Sequence, residues 1–176
     1  MAAGNTYEAI ATNTLGSDTA SVTFSSISST YTDLILIVSG ALSVADWVPT
    51  LQFNSDTNTN YSSTLLEGSG SSAISERLSN KVEIFPGYTN GAWGTNLDEN
   101  NVIFQIQNYS NTNTYKTVIA RNNVASGSTS SYPGTVASVS LWRSTSAINT
   151  ITVKVGGGGA NFKSGSIFSL YGIKAA

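Results

Sequence analysis

The sequence predicts an all-β chain, an antiparallel, jelly-roll-like β-sandwich of about ten strands. Three observations carry that prediction. Charged residues make up only 10% of the chain, and polarity comes instead from Ser, Thr and Asn, which favour strands and turns over helices. Short apolar runs recur between clusters of turn formers from one end to the other. No run has a helical period long enough to bridge two parallel strands, which leaves antiparallel pairing in two layers. The 176 residues suit one sandwich domain, 1–176, with room for an N-terminal arm within 1–19.

The elements follow in order. TYEAIAT opens as a first strand. Ala20, Val22 and Phe24 alternate with Ser21, Thr23 and Ser25, the period of a half-buried strand with one wet face. TDLILIVSG is apolar at both parities over residues 34–38 and reads as the central strand, covered on both faces. In WVPTLQFN, Leu51 and Phe53 oppose Val48, Thr50 and Gln52, and Pro49 marks a strand start or an edge because it has no N–H to donate. NSDTNTN is a hairpin tip or exposed loop, and YSSTLLE the returning strand. GSGSSAISERLSN reads as loop, KVEIF as a short strand ended by Pro86 and Gly87, and GYTNGAWGTNLDEN as a long surface loop. VIFQIQNY, TYKTVIARN, GTVASVSLWRS, NTITVKV and GSIFSLYGIK are five further strands. No repeat at a fixed period points to a propeller or solenoid.

The residues that usually carry chemistry are missing. There is no His and no Cys, which removes the Ser/His/Asp triad, thiol nucleophiles and zinc clusters. A paired-carboxylate glycosidase would have to use Asp98 with Glu99, or Glu67 with Glu83; each acid reads more simply as a solvated turn or rim residue. Residues 156–159, GGGG, lack the GK[ST] and the helix of a phosphate loop and read as a flexible turn. DTNTNYSS lacks the central Gly and terminal Glu of a calcium loop. No enzyme activity, metal or cofactor is expected.

A net charge of −2, spread singly, provides no basic patch for nucleic acid. No apolar run is long enough to cross a bilayer, and the first residues lack the pattern of a secretory signal. Sparse charge suits a surface that a partner covers. Trp93, in the predicted long loop, is the leading candidate for an exposed anchor, because Trp joins apolar area to one hydrogen-bond donor. Tyr88 in the same loop, Tyr61, Asn58 in the hairpin tip and Trp47 complete the candidate contact set. The alternative for each aromatic is a plug at an end of the sandwich.

The opening TYEAIATNTLGSDTASVTFSSISSTYTDLILIVSG and the closing GSIFSLYGIKAA resemble small virion structural proteins of tailed phages, particularly marine and cyanobacterial ones. The likeness covers about the first forty and last ten residues, with residues 41–165 similar only in style. It implies a jelly-roll-like domain on the virion exterior, as a capsid decoration or cement protein whose partner is the major capsid protein, with self-association as a trimer a further expectation. The alternative within the same group is a tail-fibre or head-fibre module that recognises host-surface glycans. The resemblance implies no catalytic residue.

Overall fold

The computed structural model describes residues 6–45, 47–68, 71–87, 92–97, 100–124 and 135–174. Eleven strands account for nearly all regular structure: β1 (Tyr7–Thr14), β2 (Ser21–Phe24), β3 (Asp33–Gly40), β4 (Pro49–Phe53), β5 (Tyr61–Gly68), β6 (Ala73–Lys81), β7 (Asn100–Gln107), β8 (Lys116–Val124), β9 (Thr135–Trp142), β10 (Ile151–Val155) and β11 (Ile167–Ile173). They form an antiparallel sheet of eight in the order β1-β11-β3-β7-β8-β9-β5-β6, and a sheet of three, β2-β10-β4. The all-β sandwich stands as expected. Its layers are unequal, and the chain changes layer at every connection from β1 to β5 and on either side of β10.

The alternation read from the sequence places the core. Leu34, Leu36 and Val38 on β3, Val102, Phe104 and Ile106 on β7, and Phe168 and Leu170 on β11 are buried against Val22, Phe24, Leu51, Phe53, Ile151 and Val153 of the small sheet. At about 25 cal/mol per Å² of apolar surface removed from water, this seam dominates the stability. A second cluster, Val48, Leu65, Leu78 and Phe85, fills the β5–β6 side. Pro49 begins an edge strand, where its missing N–H costs nothing.

Several expectations change. Residues 73–80, read as loop, run with Lys81 as strand β6, paired along β5 from Gly68↔Ala73 to Tyr61↔Lys81. A polar edge strand with little to bury has no apolar period to reveal it; the neighbouring backbone supplies the order. Of KVEIF, Lys81 ends β6 and Ile84 makes an isolated bridge to Leu51. The GGGG segment is a built turn: Gly157 and Gly158 have φ of 76° and 71°. The Trp47 ring lies so close that a Cβ on Gly157 would fall 1.9 Å from it. Residues 7–14, expected as the first strand, lie in the sheet as β1, bonded to β11 across a bulge at Ile10.

Candidate interaction surface

Two of the anchors expected at the surface, Trp93 and Tyr61, are interior. Trp93 is 0% exposed; its backbone bridges Trp47, and its indole N–H donates to Asn122 Oδ1 at 2.8 Å. Trp93 is held inside because that carboxamide on β8 offers the buried indole an acceptor, and a buried Trp needs one. Tyr61 is likewise fully buried. Its ring stacks on Trp142 at 6.2 Å, its hydroxyl receives the Phe53 N–H, and burial pushes its titration far above the ordinary phenol range. Trp47 is half-buried, laid on the glycine turn. Trp93 and Tyr61 are therefore structural plugs, a correction to the exposed-anchor expectation. Tyr88, and the acids Asp98 and Glu99, lie outside the described residues.

Asn58 is exposed, as expected of a hairpin tip, but its side chain is spent locally. Asp56 Oδ1 accepts the Asn58 N–H and Nδ2, at 3.0 and 2.8 Å. Oδ2 accepts Asn60 Nδ2 at 3.0 Å and Trp142 Nε1 at 2.8 Å. Four donors saturate this carboxylate, so the loop is a turn clamp with no oxygen left for a cation. Partial burial favours the neutral acid, yet the donors outweigh it and hold Asp56 down to about 2. Of the other acids, Glu83 is paired with Lys154 at 2.9 Å, and Glu67 is buried on β5. No group of three or more metal-ligating side chains occurs among the described residues, nor does any helix long and apolar enough to cross a membrane.

What the fold does expose is the outer face of the eight-stranded sheet. On the small sheet the outward residues include Ser21, Thr23 and Thr152, with Thr23 and Thr152 hydroxyls 3.1 Å apart, an ordinary wet face. The large sheet is different. Its register sets Ser169, Ile37, Ile103, Arg121, Ala137 and Leu66 in one row across β11, β3, β7, β8, β9 and β5. Tyr171, Ile35, Gln105, Ile119, Val139 and Thr64 form the next row on the same strands. Side chains directly opposite on one face are about 5 Å apart, so these rows make one continuous surface. Leu66 and Val139 are 62% and 55% exposed, and Ile35, Ile37 and Ile103 are half-buried by their neighbours alone.

The second apolar parity of residues 34–38 was read as cover on both faces of β3. Among the described residues only one face of β3 packs into the core; Ile35 and Ile37 look outward and are half-buried.

No family model and no curated protein matches the chain. Among solved structures, a protein of unknown function from Shewanella oneidensis MR-1 aligns with 9% identity and a TM-score of 0.20, over 100% of this chain and 82% of that one. A likeness that slight carries no argument about fold or function.

Proposed function

We propose that this protein is a virion structural protein of a tailed phage, a capsid decoration or cement protein on the particle exterior that binds and stabilises the assembled head shell. One observation supports the reading beyond the terminal motifs: among the described residues, the two central rows of the large sheet's outer face carry Ile35, Ile37, Ile103, Ile119, Val139 and Leu66 with one charge, Arg121, while the small sheet keeps an ordinary polar exterior. Large apolar patches mark surfaces that a partner covers. In this role the protein performs no catalysis and holds no cofactor; it adds contact area, and many copies on one shell reinforce each other through avidity. The glycan-binding fibre alternative relied on exposed aromatic anchors, and Trp93 and Tyr61 are interior.

Copy number decides between head and tail. Quantitative mass spectrometry of virions and of tail-less capsids is expected to find many copies per particle in both. Recovery with isolated tails alone overturns the reading.

A further inference from the structure

We propose that the shell surface facing this protein carries a carboxylate that pairs with Arg121, set in an apolar patch that seats on the two central rows of the large sheet. The proposal rests on the virion reading and deepens it, by naming the chemistry that the partner must present.

Arg121 stands on β8 with Ile103 beside it on β7 and Ala137 on β9. It is exposed, and among the described residues it makes neither an ion pair nor a side-chain hydrogen bond. The acids of the large sheet do not reach it. Glu8, Glu67 and Glu76 lie opposite Gly172, Val136 and Leu65, on the inward face. Asp33 shares the outer face, but it is four residues along β3 from Ile37, which is in Arg121's row, and two strands across. At about 3.4 Å per residue and 4.8 Å per strand that separation is about 17 Å, beyond the roughly 8 Å over which exposed charges act in physiological salt. Asp33 Oδ1 also accepts the Asn108 N–H at 2.8 Å. Arg77 on β6, opposite Thr64, adds a second cation at the edge of the same face. A chain of net charge −2 thus keeps the central rows of this face positive, with Arg and no Lys, the bias of an interface.

Area says what the contact needs besides apolar surface. The two central rows across six strands present about 400 Å², half of the roughly 800 Å² per partner of a stable interface. A stable contact therefore extends over the polar rows on either side, Ser39, Asn101 and Asn123 at one end and Gln107 and Thr117 at the other. That coverage puts Arg121 at the centre and takes it out of water. A buried cation without a counter-charge is strongly destabilising, whereas a carboxylate fits the planar guanidinium with two parallel charge-assisted bonds. The same face of a second copy offers Arg121 no acid. Nucleic acid presents a row of phosphates, and one cation among aliphatic side chains does not track it.

The test is titration of the full chain onto empty shells freed of the protein, with bound copies counted after sedimentation. Arg121→Leu is the deciding variant. It enlarges the apolar patch and strands the partner's carboxylate, and binding is expected to weaken at least about tenfold. Arg121→Glu sets like charges together and should weaken it at least about a hundredfold. Arg121→Lys keeps the charge without the fork and should fall between Leu and wild type. Val44→Glu, exposed on the loop after β3, should bind as wild type does. Arg121 is on the surface, so far-ultraviolet dichroism should be the same in every variant. Binding of Arg121→Leu as tight as wild type or tighter makes the face a plain apolar contact and overturns the proposal while the virion role stands. Tighter binding of Arg121→Glu overturns it too, because the partner is then basic. Wild-type binding to a DNA duplex that is lost in Arg121→Leu gives the cation to phosphate and also overturns it. Failure of wild type to bind shells overturns the virion reading, and the proposal with it.

Discussion

At Asp56, four donors from Asn58, Asn60 and Trp142 meet one carboxylate, and the consequence is a pH dependence with a definite sign. The folded-state pKa is held at about 2, below the ordinary value near 3.8. Its contribution is therefore complete above pH 4 and is lost as pH falls from about 4 towards 2. Thermal unfolding between pH 7 and pH 2 should show the midpoint dropping in that window. Asp56→Asn should lower the midpoint at neutral pH and flatten the drop, since a carboxamide oxygen cannot accept all four bonds. Equal slopes for the two proteins would count against the clamp. Trp93 makes a second prediction at this scale. Truncation to Ala opens a cavity under the Trp47 bridge and should cost about 3–5 kcal/mol of stability, measured by urea unfolding. Any loss of binding in that variant would then report unfolding, not a missing surface anchor.

Strands differ in how firmly they are held, and their order in the sheet says which. β3, β7 and β8 have neighbours on both sides and their inward residues in the main core. β1 and β6 are the edges of the large sheet, with exposed residues along most of their length. Amide hydrogen exchange should be slowest in β3, β7 and β8 and fastest in β1 and β6, because local opening is cheapest where little apolar surface is buried. β1 is not left loose at its start: Lys174 pairs with Glu8, and the Tyr31 hydroxyl donates to the same carboxylate at 3.1 Å. The pairing with Lys174, and next the bond from Tyr31, hold Glu8 below the usual carboxylate range. Protection within β1 is expected to be strongest near Glu8 and weakest beyond the Ile10 bulge.

The two layers of the sandwich differ in their exteriors, polar on the small sheet and apolar along the central rows of the large one, and the proposed virion role is argued from that asymmetry. A protein that binds the assembled shell and not its separated subunits stabilises the assembled state by mass action. Shells stripped of it should rupture at lower temperature or internal pressure than decorated ones, measured by dye release on heating. Equal thresholds would reduce its role to decoration without reinforcement.

Much of this was readable from residue order alone. The all-β class, the strands from residue 100 onward, the edge position of Pro49 and the inward triplet Leu34, Leu36 and Val38 follow from period-two patterning and turn chemistry, which are local properties of the chain. The apolar second parity of β3 was visible as well. Tertiary structure decided the rest, because it depends on pairs far apart in sequence. β6 exists because β5 templates it, Trp93 is interior because Asn122 meets its N–H, and Ile35 and Ile37 face outward because the second layer has only three strands and lies on the opposite side. Alternation fixes which residues share a face; only the packing of distant segments fixes which face meets water.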